Sequence, residues 1–373
     1  MDYEIRRATS EDYEALIDFA TMVFYVDFPY RLKKLYDGHP EVAPCHLLVT
    51  EKDRIKAMIG SFPMKLRVGE NRLNLRGIGT VSVHPGCRGK GYMKLLLKQL
   101  VEEAEADGTD LVYLGGQRQR YGYFGFGQAA TQLVFTVTPT NRRHCKAVST
   151  KEISLLPLDE NGEYLAACKA LSDKQSVSME REISAFGEIL HTWDSSGWVI
   201  LKNGKFLGYA SVSDRGESVQ ELVLSDYGAA LPVIFALVEH CGKSVIFFPA
   251  WEQTELIRSL NEVAEESCIR TGEMINVLNY PNVIEAYLRL KAESCELISG
   301  KYVIDVKEKG RFAIRVEGKA VTVSETEEPA DVSLSHLQMM SYLFSPVSTA
   351  LYRTTIERSW FPIPVILPPA DMV

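Results

Sequence analysis

The clearest periodic signal in the chain lies just past residue 90. Met93, Leu96, Leu97, Leu100, Val101 and Ala104 recur at the i, i+3, i+4, i+7 spacing of a helix buried along one face. Gly108, after Asp107, supplies its stop. The β-branched run Thr80-Val-Ser-Val83 ahead of it reads as the end of a strand. The helical period also appears at Tyr13, Leu16, Ile17, Ala20, Val23 and Phe24. There Thr9-Ser10 offers a cap, and Glu11 and Asp12 suit the positive end of the helix dipole. Between these helices the apolar runs 45–50, 54–62, 64–68 and 72–83 predict an antiparallel meander, with turns at Glu51-Lys-Asp53 and Gly69-Glu-Asn71. Short strands at 3–7 and 110–114 complete the order: strand, helix, meander, helix, strand, with an aromatic, glycine-rich stretch at 115–127.

The second half repeats part of this order. Residues 198–212 read as a hairpin about the type I′ turn signal Asn203-Gly204, and a strand (221–224), a helix (230–239) and a strand (244–248) follow. The polar stretch 139–144 reads as a linker. Beyond Asn282 come a helix at 283–290, strands at 302–306, 311–316 and 320–323, and a helical segment opening at Val332. Four prolines hold the tail 361–373 extended, and its apolar residues imply that it is docked.

The turn between Val83 and the first-mentioned helix carries Arg88, Gly89, Lys90 and Gly91. The first N–H groups of a helix lack intrahelical partners and sit at the positive end of its dipole, and glycines let a bulky ligand approach. Such a turn suits a phosphate or pyrophosphate. An ordinary strand-to-helix turn with solvated basic residues fits the same four residues. A Walker loop has no match in the chain, and Lys94 stands where a Rossmann fingerprint needs its third glycine.

Length and composition narrow the class. A chain of 373 residues has room for two or three domains, and 46% hydrophobic with 24% charged residues is ordinary for a soluble globular protein. Net charge of −8 argues against nucleic acid as a partner. Seven scattered cysteines without a CxxC pair read as reduced thiols of a cytoplasmic protein, and no spacing of His and Cys suggests a metal site. No signal-peptide core and no apolar run of membrane-spanning length is expected.

The order of elements, the Arg88-x-x-Gly91 turn and Tyr121-Gly-Tyr-Phe-Gly125-Phe126 downstream resemble the GNAT superfamily of N-acetyltransferases. Met93 at the last position of the turn motif, and the full order of segments, resemble its Eis-type (enhanced intracellular survival) branch. The resemblance implies an α/β (α+β) fold of tandem GNAT-like domains, each a mixed, mostly antiparallel sheet flanked by helices. Residues 1–144 would be catalytic, and 145–285 a degenerate copy with Ser225-Asp226 in place of the basic turn. Residues 286–373 would be a sterol-carrier-protein-like domain whose tail returns to the active site. It further implies acetyl-CoA as co-substrate with no metal, a small cationic amine as acceptor (aminoglycoside-like, polyamine-like or a lysine side chain), and a homo-oligomer, trimer or hexamer. The alternative is a non-catalytic protein that binds coenzyme A or an apolar ligand in the C-terminal module.

The resemblance also assigns site residues. Arg88, Gly89, Lys90, Gly91, Tyr92, Met93 and Lys94 would hold the pyrophosphate. Val81, Ser82 and Val83 would pair with the pantetheine arm, which Gly116 and Gln117 would also contact. Tyr121 would be the general acid for the departing thiolate. An amine with a free pKa near ~10 must lose a proton before it attacks, yet the strand 73–83 carries no carboxylate. His84, before a proline, reads as a turn residue. The resemblance implies instead the C-terminal carboxylate at Val373 as general base. Asp27, among aromatics, and Asp371 are candidate acids for the acceptor ammonium.

Overall fold

The computed structural model describes residues 3–373. Strands β1 (Glu4–Arg7), β2 (His46–Glu51), β3 (Arg54–Val68), β4 (Asn71–Val83), β5 (Leu111–Leu114) and β6 (Gly127–Gln128) come from the first third of the chain. Next are β7 (Thr131–Val137), β8 (Ile153–Pro157), β9 (Val177–Met179), β10 (Ser195–Lys202), β11 (Lys205–Ser213) and β12 (Ser218–Leu224). Then follow β13 (Val245–Phe247), β14 (Glu266–Thr271) and β15 (Met274–Val277). The last are β16 (Gly300–Val306), β17 (Gly310–Glu317), β18 (Ala320–Glu325) and β19 (Val332–Leu334). They form three mixed sheets: β1-β2-β3-β4-β5-β15-β6 with β9 on β3, then β14-β7-β13-β12-β11-β10-β8, then β18-β17-β16-β19.

The first two sheets share one plan. In each, an antiparallel meander leads through a helix to a parallel neighbour: β4 to β5 through Tyr92–Ala106, and β12 to β13 through Ala230–Cys241. In each, the strand beyond that neighbour comes from the other half of the chain. β15 lies antiparallel to β5, and β7 lies antiparallel to β13. Since β6 runs on into β7 and β14 into β15, the two segments form one antiparallel ribbon crossing between the sheets, from Gln128↔Met274 to Thr136↔Glu266. The sheets therefore do not divide at residue 144.

Local chemistry explains most boundaries. Tyr13–Phe24 begins after a capping box in which the Asp12 carboxylate accepts from Thr9 N–H at 2.8 Å, and Arg6 forks onto that carboxylate. The turns Lys52-Asp53 and Asn203-Gly204 both take two consecutive positive φ angles, as a two-residue hairpin with type I′ geometry requires. Tyr92–Ala106 buries Tyr92, Leu96, Leu97, Leu100 and Ala104, with Met93 and Val101 at the margin.

Two expectations are corrected. β3 continues through Pro63, because β2 has ended its pairing at Gly60 and β9 begins only at Leu66, leaving a stretch of that edge with no ladder. Val332–Leu334 is a strand parallel to β16, and the helix starts only at His336, after a capping box between Ser335 and Gln338.

The C-terminal sheet does not stand alone. Helix Tyr280–Ser294 lies between it and the first sheet, and one core joins Leu66, Leu75 and Tyr113 to Tyr287, Ile314 and Trp360. The tail from Phe361 to Leu367 is buried in the same core.

Candidate active site

β4 and β5 pair from Leu75↔Leu111 to Ile78↔Leu114 and then part. β5 ends there, while β4 continues to Val83 across a bulge at which Thr80 takes a φ of 50°. The edge of β4 beyond Ile78 is thus left without a partner on the β5 side. Two clefts meet in this gap, sharing Phe24, Val81 and Arg120 in their walls.

The first cleft, about 730 Å³, is lined by Val81, Ser82, Val83, Arg88, Gly89, Gly91, Tyr92, Met93 and Lys94. The first intrahelical bond runs from Leu95 N–H to the Gly91 carbonyl at 3.1 Å, so Tyr92, Met93 and Lys94 present the orphan donors. Gly89 and Gly91 have φ of 82° and 84°, and nothing lies within 4 Å of where a Cβ would stand. A side chain there would be strained and would fill the space over those donors. Arg88 is exposed and free of ion pairs among the described residues. Open N–H groups, a free guanidinium and an unpaired strand edge fit a coenzyme A: Arg88 and the helix start for its pyrophosphate, β4 for its pantetheine amides. Lys90 does not line this cleft; its ammonium pairs with Glu51 at 3.1 Å, and Glu51 also accepts from Tyr92 Oη, interactions that hold the Glu51 carboxyl below its usual range.

The second cleft, about 650 Å³, contains Thr80, Tyr113, Gly116, Gln117, Tyr121, Trp193, Glu273 and Val373. The Tyr121 ring packs on Gly116, where a Cβ would come within 2.9 Å of Cε2. Burial raises its hydroxyl above the usual tyrosine range, and that hydroxyl makes no hydrogen bond among the described residues. Opposite, Gly77 and Gly79 vacate one face of β4, and Val373 occupies the vacancy: its Cγ2 lies 2.6 Å from a Cβ built on Gly77, and its carboxyl carbon 3.2 Å from one on Gly79. The main chain and side chain of Val373 therefore stand against this strand, brought there from another part of the chain.

Successive donors hold the tail there. Tyr287 Oη donates to the Ile366 carbonyl at 2.8 Å, Lys34 to Ala370 at 2.9 Å, Tyr113 Oη to Asp371 at 3.3 Å and Trp193 Nε1 to Met372 at 3.1 Å. Burial lowers the Lys34 ammonium to about 7.

Neither acid proposed for the acceptor stands in this cleft. Asp371 is buried and gives both oxygens to Arg181, at 3.0 and 2.5 Å, while Arg181 also forks onto Glu221. Asp27 is exposed and caps the short helix Phe28–Arg31 by accepting from Tyr30 N–H at 3.1 Å. The carboxylate that does line the cleft is Glu273, in the turn between β14 and β15, its pKa raised by burial. The sequence signal was slight: a Gly272-Glu273 pair between two strand-like runs. His84 accepts from Gly86 N–H within its own turn, as a structural residue would. Among the described residues no cluster of three or more His, Cys, Asp or Glu is arranged to hold a metal, and no helix is long and apolar enough to cross a membrane.

Residues 4–129 match the family model described as an acetyltransferase (GNAT) domain. No curated protein matches the chain in sequence. Among solved structures, the chain is similar to a GCN5-related N-acetyltransferase from Anabaena variabilis, with a TM-score of 0.71 and 16% identity over 100% of both chains. It is similar to Eis1 from Mycobacterium abscessus, with a TM-score of 0.67 and 15% identity over 99% of each chain. A probable N-acyltransferase from Enterococcus faecalis gives a TM-score of 0.68 and 14% identity over 98% of this chain and 97% of that one. At such identities the shared property is the fold. The matched stretch, a third of the chain, is a GNAT acetyltransferase domain and supports N-acetyl transfer that depends on an acyl-coenzyme A.

Proposed function

We propose that the protein transfers the acetyl group of acetyl-CoA directly to a primary amine of a small cationic acceptor, of aminoglycoside-like, polyamine-like or lysine-side-chain type. The observation that carries this reading is the meeting of Tyr121 and the Val373 carboxyl in one cleft, continuous with the Arg88 turn through Val81 and Arg120. When bound, the co-substrate supplies an activated thioester. Tyr121, kept protonated by burial, holds a proton at Oη for the leaving sulfur. The Val373 α-carboxylate, with a free pKa of roughly 3.3–3.7, is a weak base and works by ion-pairing and orienting the acceptor ammonium as its proton leaves. Glu273 adds a second negative group at the acceptor's side.

In this reading residues 1–144 form the catalytic domain and 145–285 a second GNAT-like domain without a cofactor site, with β7 and β15 exchanged between them. Residues 286–373 form a sterol-carrier-like module. The seven free thiols support a cytoplasmic setting. Self-association as a trimer or hexamer belongs to the same reading, and sedimentation velocity tests it. The apolar-ligand alternative needs an open interior in the C-terminal module, whereas Tyr302, Tyr342, Phe344, Trp360 and Phe361 fill it.

The deciding experiment measures thiol release from acetyl-CoA against a panel of amines for the wild type, Tyr121→Phe and a chain lacking Met372 and Val373. Loss of turnover in both variants supports the two roles. Equal rates in all three refute them, and no release with any amine refutes the activity.

A further inference from the structure

The second sheet repeats the parting of strands that opens the first. β12 meets β13 only at Ser218↔Ile246 and Val219↔Phe247, and from Gln220 onward it runs without that partner. The gap holds a small chamber, about 70 Å³, walled by Gln220, Glu221, Phe248, Glu252, Gln253 and the tail residue Pro369. Gln220, Phe248 and Pro369 are also walls of the acceptor cleft.

The charged donor and the glutamine amides around this chamber are engaged elsewhere. The side-chain amides of Gln175, Gln220 and Gln253 donate to Leu171 O at 3.2 Å, Ser218 Oγ at 3.0 Å and Leu222 O at 3.1 Å. Arg181 spends its guanidinium on Glu221, Asp371 and Ser172. Acceptors there stay open: the carbonyl oxygens of Gln175 and Gln220, and Glu252 Oε2, which is enclosed with no hydrogen-bond partner among the described residues. An enclosed carboxylate oxygen without a partner is costly, and burial accordingly raises Glu252 to about 7. Glu221, Glu252 and Asp371 together outnumber Arg181 and Lys34, so the surroundings favour a cation.

We propose that this chamber binds a primary ammonium group on a slender alkyl chain, accepted by Glu252 Oε2 and the glutamine carbonyls. Through the shared wall, that ammonium is the far end of the acceptor whose near amine meets Val373. The length of the acceptor rests on the proposed activity; the ammonium site itself does not.

The test compares 1,4-diaminobutane with n-butylamine. In the wild type the diamine should have kcat/KM at least about tenfold higher, and Glu252→Gln should bring the ratio to about two or less with n-butylamine unchanged. Glu252→Asp, which keeps the charge, should retain part of the preference. A ratio unaltered by Glu252→Gln overturns the proposal. If no amine is acetylated, the proposed activity fails, and thermal unfolding still judges the chamber. 1,4-Diaminobutane must then raise the Tm of the wild type more than that of Glu252→Gln, and equal shifts overturn the proposal. Methylammonium raising only the wild-type Tm, without a diamine preference in turnover, would assign the ammonium site to a separate small amine.

Discussion

The two strand–turn–helix segments of this chain have the same topology and opposite chemistry. After β4 the turn exposes Arg88, bends through two glycines at positive φ, and leaves the donors of Tyr92, Met93 and Lys94 open. After β12 the turn is Ser225-Asp226-Tyr-Gly228, and Asp226 folds back to accept from Gly228 N–H at 2.9 Å. The second helix start thus satisfies one of its own donors and puts a negative charge where an anion would sit. The fold supplies two candidate cradles; a handful of turn residues decides which can hold a phosphate.

The largest effect should come from the residue with no counterpart after β13, where the chain reads Phe248-Pro-Ala-Trp251. Tyr121→Phe should lower kcat by about 10²–10⁴-fold with an unchanged Tm, since its hydroxyl has no partner to lose. Because burial raises Tyr121, the alkaline limb of the wild-type kcat profile should fall above the free tyrosine value of about 10, and the profile of Tyr121→Phe should lack it.

Arg181→Met tests what the second unit does for the first. It strands Glu221 and Asp371 in the interior and should cost about 3–5 kcal/mol in chemical denaturation, largely recovered when both acids are also replaced by Leu. Arg88→Asp imitates the second turn on the first. It should raise the KM for acetyl-CoA by about a hundredfold with an unaltered Tm, because Arg88 is exposed.

The smallest effect concerns His39, which joins the two units through Glu188 at 2.8 Å and also meets Glu41 at 3.0 Å. Burial opposes its charge, but the hydrogen bonds to Glu188 and Glu41 carry its pKa above the ordinary value. A raised histidine stabilises the fold fully at pH below about 6.5 and loses that contribution as pH rises through the folded value. The Tm gap between wild type and His39→Asn should shrink from pH 5.5 to 8.5, within roughly 1 kcal/mol given its partial exposure.

Much of the architecture was legible because periodicity and turn chemistry are local. The apolar stripe from Leu96 to Ala104 and the Asn203-Gly204 hairpin needed no tertiary knowledge. Strand partners were not legible. Nothing at Met274–Val277 says that it pairs with Leu111–Leu114 rather than with its own half, since both runs are simply apolar and buried. The surroundings of the acids were not legible for the same reason. Asp27 and Asp371 look available in sequence, yet one caps a helix and the other meets an arginine far away in the chain, while Glu273 reaches the cleft only by the exchange of strands. Nothing in the sequence marks Gly77 and Gly79 as the place where Val373 packs.

The ribbon that crosses between the sheets also sets a timetable for synthesis. β5 emerges early, but its antiparallel neighbour β15 is made only after all seven strands of the second sheet have followed β5 off the ribosome. A nascent first domain therefore waits with one side of β5 unpaired, an exposed edge of the kind that invites wrong partners. The tail segment 361–373 follows later still, so the turn at Arg88 and Glu273 both precede it in synthesis, and the wall that Val373 adds to the cleft is placed after them.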